Sequence, residues 1–418
     1  MNPCHPKTNP AGLIALCVAE NKLPKGRNLF SARLQTAAAT GSTFLDSTSF
    51  EYNSMTGLES LRTAVASIFA NHFLPPKINF VISPDNIICA SGGSSILNSL
   101  FSLLCSPRTA VLIPAPYYAA FENDMKVLAG CVPVPVRISG DPRLGPTAID
   151  LDAARDSARS QGMEVGMVLV TNPHNPLGIV YEHASISSIV GWARNQPQLT
   201  HVVVDEIYAL SQFSSSDTEV GAGKFVSAIK VLNNELNDDV HVIWGMSKDF
   251  GASGFRMGFL YTMNEELKQA FGNINAFSAV SHPIQSLVAI VLSDSSFVSK
   301  YLSTMRAELL TSYTIAAKTL TSLSVPFTPA CSGVFVYADF SKFLPDDSWE
   351  GEEALVQMFF NEGVVMTPGK SQQAAKPGFF RICYAWVDVV VLEIAMGRIR
   401  TVADNLNLNG WVDLDSET

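Results

Sequence analysis

The feature that most constrains the fold is a series of short apolar runs, each of which ends in a polar cluster. Five such runs occur between residues 86 and 244, and segments of helical character separate them. They are NIICA before SGGSS, TAVLIPA before PYY, GMVLVT before NPHNPLG, HVVV before DEIY, and HVIW before GMSK. Strands that alternate with helices predict a mostly parallel sheet in an α/β fold. Ligands bind beyond the carboxyl ends of such strands, so we expect the polar clusters to meet in one crevice.

The chain as a whole divides into three predicted parts. Residues 1–45, rich in Pro, Asn and Ala, have the character of an irregular arm that contributes to a small domain. Residues 46–297 form the large domain, which opens with the helical period of TGLESLRTAVASIFANHF. Residues 298–418 form a smaller α/β domain, in which a helix over STMRAELLTSYTIAAKTL precedes strands in GVFVYADF and FFRICYAW.

Composition narrows the class of protein. A chain of 418 residues buries a large core, and a formal net charge of −10 argues against a nucleic-acid surface. The seven cysteines are scattered without a C-x-x-C pair, which is typical of reduced intracellular thiols. The apolar run AGLIALCVA is too short to span a bilayer, and no small-residue cleavage site follows it. We therefore expect a cytoplasmic protein with neither nucleic acid nor membrane as partner.

Several common enzyme signatures are missing from the sequence. It has no G-x-G-x-x-G, P-loop, H-E-x-x-H or G-x-S-x-G motif, and its cysteines and histidines lack metal-ligand spacing. These absences disfavour dinucleotide-dependent, nucleotide-hydrolysing and metal-dependent chemistry, and we expect no metal site.

The SGGSS segment is a candidate anion site. It places Gly93 and Ser94 where a strand turns into a helix, so their backbone N–H groups face outward at a helix N-terminus. Such a turn is about as often purely structural. In GMSKDFGASGFRMG, Ser247 and Arg256 offer further contacts to a phosphate, and Lys248 is either a surface cation or a nucleophile.

The VVVDEIY segment places an acid, Asp205, directly after an apolar run, where a carboxylate is costly unless it has a partner. One interpretation is a helix N-cap. The other is that Asp205 meets a cation such as a protonated ring nitrogen. Tyr208 would point into the same space, and Asn175 in the turn NPHNPLG is placed to donate a hydrogen bond.

Seven motifs in order resemble those of the fold-type I pyridoxal 5′-phosphate (PLP) enzymes, the class I/II aminotransferase superfamily. The motifs are YNSMTGLESLR, SGGSS, PAPYYAAF, TNPHNPLG, VVVDEIY, GMSKDFGASGFRMG and FFRICYAW, and they cover nearly the whole chain. The resemblance implies a PLP-binding large domain with a mostly parallel central sheet and a smaller α/β domain.

The resemblance also implies a role for each candidate residue. Lys248 would form a Schiff base with PLP and move the substrate Cα proton, while Asp205 would keep the ring nitrogen protonated. The other implied cofactor contacts come from Tyr208 and Asn175 at the phenolic oxygen, Tyr118 on the ring face, and Gly93, Ser94, Ser247 and Arg256 at the phosphate. Tyr52 would reach the phosphate of a neighbouring subunit, which implies a homodimer with shared active sites. Arg381 would clamp the substrate α-carboxylate bidentately.

Within the superfamily, the chain most resembles the 1-aminocyclopropane-1-carboxylate (ACC) synthase branch, which includes carbon–sulfur lyases of secondary metabolism. VAENKL carries part of this resemblance, and its Glu20 would either favour a cationic substrate arm or tie down the N-terminal arm. Both activities cut a C–S bond of an α-amino acid after removal of the Cα proton, by α,γ- or β-elimination. We therefore predict a PLP-dependent carbon–sulfur lyase, with aminotransferase as the alternative.

Two positions depart from the pattern of the plant-type ACC synthases. Gly245 stands where those members have a serine that contacts the phosphate, and Met55 stands where they have a tyrosine. Tyr52 instead has the spacing of the aminotransferases, Y-x4-G-L. Both positions lie where the resemblance places the rim of the cofactor and the substrate, which is where the outcome of the reaction is decided.

Overall fold

The computed structural model describes residues 3–40, 45, 47–75, 80–214, 221–231 and 238–411. Within these ranges it has thirteen strands and thirteen α-helices. The strands are β1 (Ile14–Ala15), β2 (Ile87–Ala90), β3 (Ala110–Pro114), β4 (Val132–Val136), β5 (Val165–Thr171), β6 (His201–Asp205), β7 (Val240–Gly245), β8 (Gly258–Thr262), β9 (Phe327–Thr328), β10 (Val336–Asp339), β11 (Val364–Val365), β12 (Thr367–Pro368) and β13 (Phe379–Ile382). The helices are α1 (Pro24–Thr40), α2 (Glu59–Ile68), α3 (Gly93–Leu104), α4 (Phe121–Lys126), α5 (Ala148–Ser160), α6 (His183–Arg194), α7 (Ala228–Val231), α8 (Met246–Asp249), α9 (Glu265–Ile274), α10 (His282–Leu292), α11 (Ser295–Ser322), α12 (Trp349–Asn361) and α13 (Val389–Asn409). Among the helices in these ranges, none has the length and apolar character needed to cross a membrane.

A seven-stranded sheet with the order β2-β8-β7-β6-β5-β3-β4 forms the centre of the fold. Strand β8 is antiparallel to both of its neighbours, β2 and β7. All the other neighbouring pairs are parallel, from β7 through β6, β5 and β3 to β4. The predicted α/β class with a mostly parallel sheet is confirmed. Because six strands share one direction, their carboxyl ends lie at the same edge of the sheet.

Both faces of this sheet are buried, which explains why its strands are continuous apolar runs in the sequence. In β5, Val168 and Val170 face one apolar core, whereas Met167 and Leu169 face the other. Strand β6 alternates in the same way. Helices α3, α4 and α9 cover the second core, and α2 and α10 contact each other beside the first.

A second, four-stranded antiparallel sheet with the order β12-β13-β10-β9 follows in the C-terminal part of the chain. Strands β10 and β13 lie within the two segments for which strands were predicted, and Tyr337 is paired with Arg381 between them. The predicted helix lies within the 28-residue α11, which packs against α13. Domain boundaries at residues 45 and 297 stay a prediction.

The N-terminal segment is more regular than its sequence suggests. The prediction of an irregular arm to residue 45 is wrong over Pro24–Thr40, where α1 forms. This helix lacks a strong apolar stripe, so tertiary contacts with α10 and α11 stabilise it. Phe30 provides its centre, with its ring 5.5 Å from that of Phe250 and 5.8 Å from that of Tyr301. Ahead of α1, strand β1 pairs in parallel with β11 of the C-terminal region.

Candidate active site

A cavity of about 210 Å³ lies beyond the carboxyl ends of five parallel strands of the large sheet. Each of the five polar clusters contributes to its lining, which includes Gly93, Ser94, Tyr118, Asn175, Asp205, Tyr208, Ser247 and Lys248. Arg256 and Glu20 line it as well. The clusters therefore do meet in one crevice. Of the predicted site residues, Tyr52 and Arg381 lie outside this lining.

Lys248 lines the cavity because α8 begins directly after strand β7. Its Nζ donates a hydrogen bond to the carbonyl oxygen of Ala19 at 2.7 Å. Burial lowers the pKa of Lys248, and the Glu20 carboxylate opposes this effect only in part. An amine with a depressed pKa is more often in the neutral form that acts as a nucleophile or a base. Lys248 is therefore not a surface cation.

Asp205 is the last residue of β6 and is buried in the cavity wall. Its Oδ1 accepts a hydrogen bond from the backbone N–H of Ile207 at 3.2 Å, a local turn contact like that of a capping residue. Burial nevertheless raises the pKa of Asp205 to about 7, and Lys248 opposes the rise. The hydrogen bond from Ile207 offsets only part of the cost of burying the Asp205 carboxylate. A cation in the cavity would therefore stabilise this carboxylate further.

The opposite end of the cavity is suited to an anion. Helix α3 begins at Gly93, after Gly92 with a φ of 86°, and presents its first N–H groups. The Arg256 guanidinium lies against this turn, because a Cβ on Gly92 would be only 2.7 Å from its Nη2. Arg256 Nη1 donates to the carbonyl of Ser253 at 2.9 Å, which holds the side chain in place. The sequence interpretation missed Gly92, although the paired glycines of SGGSS were a signal for it.

Arg381 projects from β13 and is buried behind the cavity. Its Nη1 donates to Asn175 Oδ1 at 3.0 Å, and its Nη2 donates to the carbonyl of Cys17 at 2.9 Å. The Phe335 ring lies 5.4 Å from the guanidinium carbon. Arg381 thus joins the turn after β5 to the N-terminal segment, and Asn175 connects it to the cavity.

Glu20 enters the cavity from the N-terminal segment. Its Oε1 accepts a hydrogen bond from the Ser253 hydroxyl at 2.8 Å, and both residues line the cavity. The contact ties the segment to the stretch that carries Arg256, as the anchoring interpretation expects. The same carboxylate faces the space where a substrate would bind, so both interpretations of Glu20 remain.

The three predicted tyrosines occupy different environments. Tyr118 makes an edge contact with Phe121 at 5.3 Å, and Tyr208 makes one with Phe335 at the same distance. Burial raises the pKa of both phenols, so each is a neutral hydrogen-bond donor at physiological pH. Tyr52 is 98% exposed and lies away from the cavity of its own chain.

One acidic residue of the cavity, Asp124, was missed from the sequence. It lies on α4, lines the cavity with Tyr118 and Phe121, and has a buried Oδ2 without a hydrogen-bond partner among the described residues. The only signal for it is the interval of three residues that separates these side chains.

The departure at Gly245 has a steric basis. A Cβ at this position would be 2.9 Å from the Met257 carbonyl oxygen and 3.2 Å from Gly258 Cα. Gly245 and Gly258 are paired between β7 and β8, so the two backbones approach too closely for a side chain. A serine hydroxyl is therefore incompatible with this backbone arrangement.

The residues of the cavity fit PLP on structural grounds. A helix N-terminus with an adjacent guanidinium matches a phosphate, and a buried carboxylate that lacks a cation matches a protonated pyridine nitrogen. The desolvated amine of Lys248 lines the same cavity and matches an aldehyde. Fold and site together define an enzyme of the fold-type I class.

Comparisons with known proteins agree with this class. Residues 11–399 match the family "Aminotransferase class I and II", and the chain belongs to this family, whose members are PLP-dependent. The chain is 31% identical to 1-aminocyclopropane-1-carboxylate synthase 6 of Oryza sativa subsp. japonica, over 97% of this chain and 75% of the rice protein. It is 32% identical to a mouse protein named "Probable inactive 1-aminocyclopropane-1-carboxylate synthase-like protein 2", over 94% of this chain and 66% of that one.

A solved structure shares the fold at lower identity. Aspartate aminotransferase from Thermus thermophilus, with maleate, superposes with a TM-score of 0.76 at 20% identity. The match covers 94% of this chain and 92% of the Thermus chain. The fold-type I architecture predicted from the motifs is therefore confirmed.

Proposed function

We propose that the protein is a PLP-dependent carbon–sulfur lyase that acts on an α-amino acid. The observation that carries the proposal is that Lys248, Asp205 and Arg256 line one small cavity, each with the functional group that a different part of PLP requires. The similarity to proteins named ACC synthases over nearly the whole chain supports the choice of branch. The presence of both Lys248 and Asp205 argues against an inactive scaffold.

The chain's own residues account for cofactor binding. PLP, when bound, supplies the ring that draws in the electrons of the broken Cα–H bond. Arg256, Ser247 and the first turn of α3, with Gly93 and Ser94, bind its phosphate, and Asp205 holds the proton at its ring nitrogen. Tyr208 and Asn175 donate hydrogen bonds to its phenolic oxygen, and Tyr118 covers the ring.

Lys248 performs the proton transfer in this proposal. Its amine would hold the cofactor in the resting enzyme and would take the Cα proton of a bound substrate. Burial lowers the pKa of Lys248, which favours the neutral amine that this step needs. The electron pair of the Cα–H bond would then form the new carbon–carbon bond, to Cβ or Cγ, while the C–S bond breaks and the sulfur leaves with the electron pair of that C–S bond.

Arg381 and Glu20 orient the substrate. The Arg381 guanidinium contacts Asn175, which lines the cavity, so Arg381 would exchange this contact for the α-carboxylate of a substrate. Glu20 adds a negative charge on the substrate side, and this favours a sulfonium or another cationic arm. These two contacts come from the C-terminal and N-terminal parts of the chain, so the substrate site needs both.

The active enzyme in this proposal is a homodimer in the cytoplasm. Tyr52 and Phe277 are 98% and 95% exposed, and exposed aromatic side chains favour an interface. Tyr52 would then contact the phosphate in the partner's cavity. The described cysteines form no disulfide with one another, which suits a reducing compartment and, by resemblance, an enzyme of sulfur-containing secondary metabolism.

Transamination is the second candidate. It is favoured by Tyr52, which has the aminotransferase spacing, and by Met55 and Gly245, where the plant-type pattern is lost. The same lysine, aspartate and arginine would serve it, because the outcome depends on what surrounds the substrate after the Cα proton has left.

A three-way assay with mass spectrometry of the products tests the proposal. The wild-type protein and Lys248→Ala receive S-adenosylmethionine, a cysteine S-conjugate, or an amino acid with a 2-oxo acid. We expect a cyclopropane amino acid from the first, or a thiol with pyruvate from the second, and neither from Lys248→Ala. Turnover of the third pair alone would refute the lyase assignment and establish the aminotransferase.

The wild-type protein should also be yellow when saturated with PLP, and Lys248→Ala should lose the absorption band of covalently held cofactor. Gel filtration with light scattering tests the dimer independently. A monomer with full activity would refute the shared active site.

A further inference from the structure

Asp124 belongs to the same structural unit as the ring-stacking tyrosine. The N–H of Phe121 donates to the carbonyl of Tyr118 at 3.1 Å, so α4 begins as a direct continuation of the Tyr118 turn. Tyr118, Phe121 and Asp124 follow one another at intervals of three residues, and all three line the cavity. Asp124 is therefore held on the same side of the cavity as the residue that would cover the cofactor ring.

The Asp124 carboxylate is incompletely paired. Its Oδ2 is buried and has no hydrogen-bond partner among the described residues. Burial raises the pKa of Asp124 to about 6. Glu122 on the same helix differs, because its two oxygens accept hydrogen bonds from Tyr117 Oη at 2.6 Å and Lys126 Nζ at 2.5 Å. A buried carboxylate without a full set of partners is costly, so a positive charge nearby would stabilise it.

The surroundings of Asp124 indicate which part of a ligand it meets. Burial is the main cause of the raised pKa of Asp205, and the charge of Asp124 raises it further. Asp124 also acts on the phenol of Tyr118, as Asp205 does. The cavity therefore has two desolvated acids near one aromatic face, and a cation on a flat ring would be stabilised by both.

We propose that Asp124 is a positioning residue for the ring nitrogen of PLP: its carboxylate acts through Asp205 to hold the nitrogen in the protonated state. This inference rests on the proposed function, because it requires PLP in the cavity. The negative charge of Asp124 increases the affinity of the Asp205–pyridine pair for its proton, since removing that proton would leave uncompensated buried charge. Asp205 makes the direct contact with the ring nitrogen, and Asp124 contributes a second negative charge nearby.

The test compares PLP with its 1-deaza analogue, in which a C–H group replaces the ring nitrogen. Dissociation constants are measured by titrating cofactor-stripped wild-type protein, Asp124→Asn and the control Glu122→Gln. We expect Asp124→Asn to bind PLP about tenfold more weakly, the effect of one pKa unit, with deaza-PLP affinity unchanged. Glu122→Gln removes a charge from the same helix outside the cavity lining and should change neither constant.

A second measurement reports the protonation state directly. In PLP labelled with ¹⁵N at the ring, the nitrogen chemical shift should indicate a protonated ring in the wild-type protein and a partly deprotonated ring in Asp124→Asn. Asp124→Ala, which admits water at the site, should give the same affinity ratio as Asp124→Asn.

The outcomes separate the two proposals. Equal weakening of PLP and deaza-PLP by Asp124→Asn, or no weakening of either, would overturn the role of Asp124 and leave the proposed function intact. Failure of the wild-type protein to bind PLP at all would instead refute the proposed function.

Discussion

The two sides of the active-site cavity are built in different ways. The cofactor wall, which we define as Gly93, Ser94, Asp205, Ser247 and Lys248, follows directly from strands of one hydrogen-bonded sheet. The substrate wall, defined as Glu20 in the cavity lining together with Arg381, which contacts the lining residue Asn175, comes from the two ends of the chain. Side-chain hydrogen bonds such as Glu20–Ser253 and Arg381–Asn175 attach it to the rest of the site. The large sheet gives one wall its rigidity, whereas side-chain hydrogen bonds between distant parts of the chain hold the other.

The comparison predicts different kinetic consequences for the two walls. Changes in the cofactor wall should affect the state of the cofactor and kcat. Changes in the substrate wall should affect mainly KM and leave the spectrum of the bound cofactor unaltered.

The largest effect is expected for Asp205→Asn in the cofactor wall. An amide cannot stabilise a protonated ring nitrogen as a carboxylate does, so kcat should fall on the order of 10²- to 10³-fold. Steady-state kinetics with saturating cofactor measure the loss, and Asp156→Asn on the exposed face of α5 is the matched control. A kcat within twofold of the wild-type value would contradict the claim that changes in the cofactor wall act on kcat.

Arg381→Lys tests the substrate wall. Lysine keeps the charge but loses the fork that reaches Asn175 and the α-carboxylate, so kcat/KM should fall roughly 10- to 100-fold, mainly through KM. Absorbance of the bound cofactor should not change. Arg400→Lys is the control for replacing an arginine by a lysine. Arg400 donates a hydrogen bond to Ser322 and does not line the cavity, so this variant should leave kcat/KM unchanged. If the cofactor spectrum changed as much as KM, the two walls would not be separable.

Gly245→Ser tests how rigid the cofactor wall is. The new Cβ would be 2.9 Å from the Met257 carbonyl, so the free energy of unfolding should fall by about 1–3 kcal/mol. Urea denaturation measures the change. Gly191→Ser on α6, where no heavy atom lies within 4 Å of the added Cβ, should be neutral or slightly stabilising. A variant as stable as the wild-type protein would mean that β7 and β8 separate easily, against the rigidity argued above.

The smallest effect is expected at Glu20. Glu20→Gln keeps an oxygen for the Ser253 hydroxyl but removes the charge, so KM for a cationic substrate should rise roughly threefold. KM for a neutral amino acid should stay the same. Ser253→Ala breaks the tie without removing the charge and separates the two interpretations. Equal effects of both variants on cationic and neutral substrates would favour anchoring alone.

The sequence predicted the cofactor wall well because local physics determines it. Strands such as β5 and β6 are buried on both faces, so each is an apolar run that stops where the site begins. Strand β4 was not predicted, because prolines alternate with valines in its sequence, VPVPV, and proline disfavours a strand. Strand β8 was not predicted either, because it begins at the last residue of the motif that contains Lys248 and Arg256.

The substrate wall and Asp124 were harder to predict because tertiary contacts define them. Nothing local marks the contact of Arg381 with Asn175, which joins residues 206 positions apart. A helical aspartate between Asn123 and Met125 has the appearance of a solvent-facing residue, and only its place over the cavity distinguishes it. Helix α1 was missed for a related reason, since its partners α10 and α11 lie far along the chain.

The pairing of the N-terminal strand β1 with β11 has a consequence for biosynthesis. Residues 14–15 are translated long before their partners at 364–365. The seven-stranded sheet can assemble earlier, since translation reaches its last strand by residue 262. The strand ends that carry Asp205 and Lys248 are therefore translated well before Arg381 and the strand that pairs with β1.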